Sequence, residues 1–374
     1  MKKQLLIILL LIFSLSLSGQ KGFVRKTSTP CTLAMTDTVL GKWINPPNYL
    51  EKEMNKSQAQ EVAKQLNAIT KIIMNAYPVP TGADAAWGGT SANSSFADQV
   101  KYVMNQNQML NEEKVKSNPV SRLHYNLILY PYYCSNSLPN LILNIFPVIS
   151  GGTGISIQAN ELSILIGNVL KEEGMTIDGR PIKYKMPTMG KWKGYDIMTP
   201  EGGTNETLFT TRLVLISRNG MLPYIPVTRK QYLDLAIPYV TKWYDKMIAG
   251  MDQIPDKTTR DEYKKGTMKE KNTILKRYQD ELEETIKNGL LDSPAIVNEG
   301  PVITNLQPIF STEAAGGRML VTENPNYFRK DLPKYVPQFF VLKWSWSNEP
   351  WSLRFKKAIE ENFQIGNLME MIDK

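Results

Sequence analysis

The spacing of apolar residues changes twice along this chain, and that change constrains the fold more than any other feature. Between 123 and 217, apolar residues alternate with polar ones or run continuously, as they do in β-strands. From 228 to 287 they recur every three or four residues, as they do in helices. Strand-like alternation returns at 319–322 and 339–346. Strands grouped in this way predict an α+β fold with a mainly antiparallel β-sheet.

The helical stretch predicts a long charged hairpin. Thr228 and Gln231 have the spacing of a capping box, which marks the start of a helix. A proline separates this helix from a second one over 256–287, which combines a narrow apolar stripe with dense charges. We therefore expect a helical hairpin, inserted at about 228–287, at the periphery of the sheet.

The remaining elements are read from local signals. A helix is expected from about 57 to 77, and the Gly-, Ala-, Ser- and Thr-rich stretch 79–95 reads as a long loop. Residues 159–170 fit either a strand or a buried helix. Pro350 opens a terminal helix, so that a C-terminal strand–helix unit returns to the sheet. We expect a single α+β domain over 20–374.

The first 19 residues have the order of a secretory signal peptide. Lys2 and Lys3 precede an apolar run from Leu5 to Leu17, and small residues follow at Ser18 and Gly19. The alternative is an uncleaved membrane anchor, but the run is shorter than the about 20 residues that span a bilayer. The sequence predicts export to a periplasmic or extracellular location, with no transmembrane segment after signal removal.

The mature chain is mildly basic. The full sequence has 44 Lys and Arg against 36 Asp and Glu, and loss of Lys2 and Lys3 leaves 42 against 36, a net charge of +6. An acidic partner such as an anionic glycan or a lipid head group fits this balance, and the charged hairpin could contact a protein partner. Nucleic acid is not expected, because export separates the chain from it and no binding motif is present.

Catalytic motifs are missing from the sequence. His124 is the only histidine, no HExxH or paired Cys/His zinc pattern occurs, and the glycine clusters lack phosphate-binding spacings. We therefore expect no metal and no cofactor, and the catalytic residues, if there are any, stay unknown. Cys31 and Cys134 could form a disulfide in an oxidising compartment or remain separate thiols.

Carboxylate chemistry stays open, because a glycosidase needs only two suitably placed acidic side chains. The sequence does not order the acidic residues into a pair. The candidates on predicted strands and loops are Glu161, Asp178, Asp196, Glu201 and Glu323.

Two groups of residues are candidates for ligand binding. Trp344 and Trp346 could stack on a sugar, although their alternation with apolar neighbours also fits core packing. At the predicted helix start, Thr228 is followed by Arg229 and Lys230, and cations there oppose the helix dipole. An anionic ligand at the free backbone N–H groups would reverse that cost, whereas the alternative is a solvated helix end.

Three functional hypotheses follow. The first is an exported, non-enzymatic binding or interaction protein of the cell envelope, which rests on the charged hairpin and the missing catalytic motifs. The alternative is a carboxylate-dependent hydrolase that acts on a glycan. A purely structural role is the third, and the oligomeric state is not predicted.

Overall fold

The structure is a computed structural model. It describes residues 37–44, 56–92, 100–105, 108–114, 122–135, 144–147, 152–162, 164–166, 176–200, 209–218, 220–298, 308–333 and 335–374. The predicted signal peptide and Cys31 lie outside these ranges.

The described chain contains both helices and strands. The helices are α1 (Lys56–Ala76), α2 (Arg229–Gly250), α3 (Lys257–Lys287), α4 (Pro350–Asn362) and α5 (Ile365–Met369). The strands are β1 (Trp43–Ile44), β2 (Ala83–Ala92), β3 (Val100–Asn105), β4 (Gln108–Lys114), β5 (Arg122–Ser135), β6 (Asn144–Pro147), β7 (Gly154–Ala159), β8 (Leu165–Ile166), β9 (Thr176–Ile177), β10 (Arg180–Pro181), β11 (Lys183–Lys185), β12 (Thr188–Trp192), β13 (Tyr195–Met198), β14 (Thr210–Ile216), β15 (Tyr224–Pro226), β16 (Ile296–Val297), β17 (Arg318–Glu323) and β18 (Phe340–Trp346).

Two sheets carry most of the packing. The main sheet has the strand order β1-β2-β5-β7-β18-β14-β13-β12, with β6 paired to β5. The small sheet has the order β15-β17-β11-β8, with β16 paired to β17. Strand pairs within both are antiparallel except for β1 with β2. The predicted α+β fold with a mainly antiparallel β-sheet is confirmed, and the described strands form these two sheets and two further two-stranded ones, β9 with β10 and β3 with β4.

Side-chain alternation along β18 separates two layers of the molecule. Phe340, Leu342, Trp344 and Trp346 point into one core, which they share with α1, α4 and α5. We call this the helix core. Because successive strand residues face opposite sides, Val341 points the other way. It packs against the small sheet in what we call the middle core.

The small sheet has a second covered face. Val321 of β17 lies in the middle core, whereas its neighbour Leu320 packs with α2 and α3. We call this third cluster the arm core, and it includes Tyr232 of α2 and Tyr278 of α3. The layers therefore follow the order α1/α4/α5, main sheet, small sheet, α2/α3.

The stretch expected as a loop at 79–95 is the main error of the sequence interpretation. Residues Ala83–Ala92 form β2, which pairs with β5 over ten residues. Ala83 and Ala85 are buried in the helix core, and Trp87 is buried with its ring stacked at 5.6 Å on Tyr125. Small residues suit a strand packed closely under a helix, so the composition that suggested a loop belongs to a core strand.

Within the described ranges, none of the helices combines the length and the apolar character that crossing a bilayer requires. In the ambiguous stretch 159–170, β7 ends at Ala159, Asn160 has a left-handed backbone with a φ of 59°, and Leu165–Ile166 is a short strand, so the described residues include strand but no helix. Residues 167–170 lie outside the described part of the chain.

Candidate functional site

The start of α2 has the predicted capping box. Thr228 is the N-cap, and its hydroxyl accepts a hydrogen bond from the backbone N–H of Gln231 at 3.1 Å. The Gln231 side chain in turn accepts from the backbone N–H of Thr228 at 2.9 Å. Two donors that a helix start leaves open are therefore satisfied within the motif itself.

The next two backbone donors are also occupied. The N–H of Arg229 donates to the carbonyl of Ser293 at 2.9 Å, and the N–H of Lys230 donates to the carbonyl of Leu291 at 3.0 Å. The segment that follows α3 thus lies across the start of α2 and supplies the acceptors. The anion site predicted at Thr228, Arg229 and Lys230 depended on free backbone N–H groups. In the structure these groups already donate hydrogen bonds within the protein.

The two cationic side chains serve different contacts. The Arg229 guanidinium lies 4.6 Å from the centre of the Phe310 ring, and its Nε atom is buried without a hydrogen-bond partner. The Lys230 ammonium forms an ion pair with Asp234 at 2.6 Å on the helix surface. The two side chains therefore lie against different neighbours, Arg229 at Phe310 and Lys230 at Asp234.

The Glu281 carboxyl interacts electrostatically with the Arg229 guanidinium. Burial raises the pKa of the Glu281 carboxyl, Glu284 adds to the rise, and Arg229 opposes it. An arginine and an acidic side chain therefore lie beside the aromatic rings of the arm core, at the base of α2 and α3. This arrangement is a packing contact between elements.

The tryptophans predicted as a sugar platform are core residues. Trp344 is completely buried and Trp346 is 5% exposed. The Trp344 ring packs 4.9 Å from that of Trp192, and Arg212 and Lys356 lie over the Trp346 ring. Neither ring has a face open to a sugar, so the core alternative, which the alternation also allowed, describes both residues.

Two of the candidate carboxylates pair with basic side chains. Asp178 forms an ion pair with Arg180, and Asp196 forms one with Lys191. Both acidic side chains are largely exposed, and Glu201 lies outside the described residues. Searching the described ranges also gives no group of three or more His, Cys, Asp or Glu side chains suited to a metal ion.

His124 and Cys134 both lie on β5. In the sheet register His124 is paired with Thr90 and Gln158, and Cys134 is paired with Ile145. Because Cys31 is outside the described residues, the disulfide stays a prediction.

Helices α2 and α3 run antiparallel and are joined by a short 3₁₀ turn at Met251–Gln253. The ion pairs Lys271–Asp245 and Lys264–Asp252 follow this antiparallel order. We define the distal arm as residues 245–272. From 245 to 266 none of the residues, all of them described, is buried.

The lysines of α3 differ in their partners. Lys264, Lys271 and Lys276 each pair with an aspartate. Lys265 and Lys269, one turn apart on the exposed face, have no acidic partner among the residues that the structure describes. Sequence reasoning did not single out either lysine. At Lys265, the Asp261 four residues earlier has the spacing of a helix ion pair, but the described residues show no such pair.

Comparison with protein-family models, with curated proteins and with solved structures gives no significant match to this chain.

Proposed function

We propose that this protein is exported and acts as a non-enzymatic binding protein of the cell envelope, with the distal arm as its contact surface. The observation that carries the proposal is that one end of the α2/α3 pair is buried and the other is not. The bases of α2 and α3 supply four buried side chains to the arm core, those of Tyr232, Val240, Ile274 and Tyr278. None of the residues 245–266 is buried.

The distal arm adds little to the stability of the molecule through its own contacts. Its ion pairs Lys264–Asp252 and Lys271–Asp245 involve exposed aspartates, and exposed pairs are screened by water and salt, so they contribute little to stability. It also leaves Met247, Tyr263 and Met268 between 39% and 59% exposed. An extended surface of charges and large apolar side chains, held on a buried base, suits contact with a partner.

The test replaces residues 248–268 with a four-residue Gly/Ser linker in the mature protein. The wild type should co-sediment with envelope fractions of its native host, and the shortened variant should stay in the supernatant. Unfolding curves of both proteins serve as the control for folding. Equal retention of the two proteins would contradict the distal arm as the contact surface.

Export has a separate test, because it rests on residues 1–19 alone. Protein recovered from the native host should begin near residue 19 or 20, as read by N-terminal sequencing. A pool of cytoplasmic protein that begins at Met1 would contradict export.

A further inference from the structure

One face of α3 carries a stripe of polar and basic side chains with one methionine among them. A shallow surface depression is lined by Lys265, Met268, Lys269, Asn272, Thr273 and Lys276, which we call the α3 stripe. Steps of three and four residues place these side chains on one side of the helix, over about 16 Å of its length. All six are exposed, and they face away from the side that packs on α2.

The charge of the α3 stripe is not balanced locally. Lys276 pairs with Asp280 at 2.8 Å, whereas within the described chain Lys265 and Lys269 have no acidic partner. Two like charges one helical turn apart repel each other. An acidic group bound between them would replace this repulsion with attraction, so the stripe is complementary to negative charge.

The apolar content of the α3 stripe narrows the choice of partner. Met268 is 43% exposed and lies between the two unpaired lysines along the stripe. Insertion into a bilayer needs a broad apolar helix face, and one methionine in three turns does not provide it. The stripe also has no aromatic ring for a sugar to stack on. A methionine surrounded by polar and basic side chains resembles the centre and rim of a protein–protein contact.

We propose that the α3 stripe binds an acidic segment of a partner protein, with an apolar side chain of that segment against Met268 and its carboxylates on Lys265 and Lys269. This inference rests on the proposed function and names the chemistry of the partner for the same distal arm.

The probe is a synthetic 15-residue peptide with leucine at its centre and glutamates three and four residues to either side. We expect wild-type protein to bind it, and Lys265→Gln/Lys269→Gln to raise the Kd about five- to tenfold. Met268→Gln should also weaken binding. The matched control is Lys257→Gln/Lys287→Gln, which removes the same charge from the two ends of α3 and should change the Kd less than twofold.

Further binding measurements distinguish an acidic protein segment from other negatively charged partners. A peptide with glutamine in place of glutamate should not bind, and added salt should weaken binding of the acidic peptide. Equal loss in the two double variants, or no binding by the wild type, would overturn the inference. Tighter stripe-dependent binding to polygalacturonate or to anionic lipid vesicles would also overturn it. If Lys265→Gln/Lys269→Gln still co-sediments with envelopes while the 248–268 replacement does not, this inference fails and the proposed function stands.

Discussion

Ser352 joins three parts of the helix core through two hydrogen bonds. Its hydroxyl accepts from the backbone N–H of Ser347 at 2.8 Å and lies 2.8 Å from the hydroxyl of Thr153, and Ser352 is completely buried. Ser352→Ala leaves both neighbours without this partner away from water. We expect a loss of about 2 kcal/mol in the free energy of unfolding, measured by denaturant titration.

The control for Ser352 is Ser345→Ala. Ser345 also bonds a threonine hydroxyl, that of Thr211 at 2.8 Å, but both residues are partly exposed. Water can replace the lost partner there, so the cost should stay below about 1 kcal/mol. Similar losses in the two variants would mean that burial does not set the cost.

Glu281 should make the stability of the folded protein depend on pH, in a direction that the raised pKa sets. Because burial raises its folded-state pKa, the folded protein holds this proton more tightly than the unfolded chain does. The associated stability is therefore present at low pH and is lost as the pH rises through the folded-state pKa. Glu281→Gln should raise the Tm by about 1 °C at pH 7 and by nothing at pH 3.5.

The control for Glu281 is Glu283→Gln, an exposed neighbour on the same helix. It should change the Tm little at either pH. A lower Tm for Glu281→Gln at pH 7 would mean that the attraction between Glu281 and Arg229 outweighs the effect of burial.

At the scale of the element, the start of α2 tests the role of the helix terminus. Thr228→Ala removes the acceptor for the N–H of Gln231 and should cost about 1 kcal/mol of unfolding free energy. The control is Thr241→Ala in the same helix, where the hydroxyl only donates to the carbonyl of Ile237. That change should cost less than about 0.5 kcal/mol.

The same helix start should not respond specifically to anions. Phosphate and chloride at matched ionic strength should change the Tm equally, because Ser293 and Leu291 already accept from the N–H groups of Arg229 and Lys230. The variant Arg229→Ala should be less stable than the wild type in either salt, since it loses the contact with Phe310. A rise in Tm that is specific to phosphate and depends on Arg229 would contradict this prediction and support an anion site there.

Helices were predicted from the sequence more reliably than strands, for a physical reason. A capping box and a proline are local signals, so the starts of α2 and α4 could be identified from neighbouring residues. Strand β2 depends on its partner β5, some 40 residues away, and its small side chains suggest a loop when read alone. Likewise the alternation around Trp344 predicts a strand with two different faces. It does not predict which elements pack on each face.

At the scale of the whole molecule, the assignment of strands to the main sheet or the small sheet could not be predicted from local pattern. Strands β14 and β15 are close in sequence, yet β14 pairs within the main sheet and β15 pairs with β17 in the small one. Which sheet a strand joins is decided by contacts with distant residues. The candidate site shares this difficulty, because the free lysines of α3 are recognised only when the ion pairs of their neighbours are known.

The layered arrangement predicts how much of α2 and α3 the fold requires. Replacing all of 256–287 with a short linker removes Ile274 and Tyr278 from the arm core. Each buried side chain of this size contributes about 1.5–3 kcal/mol, and Leu275 and Leu282 add partial burial. The summed loss is then a large fraction of the 5–15 kcal/mol that stabilises a typical domain. We expect this variant to lose cooperative unfolding or to unfold at a much lower denaturant concentration.

Replacing only 248–268 should have a much smaller effect, because in that range Thr267 alone is buried. The retained ends of the two helices lie side by side, and a four-residue linker reaches about 13 Å, more than the 8–10 Å between packed helix axes. Unfolding of this variant, followed by circular dichroism in denaturant, should stay cooperative with a midpoint close to that of the wild type. If both replacements destabilise the protein equally, the distal arm is part of the structural core and is not a separate contact surface.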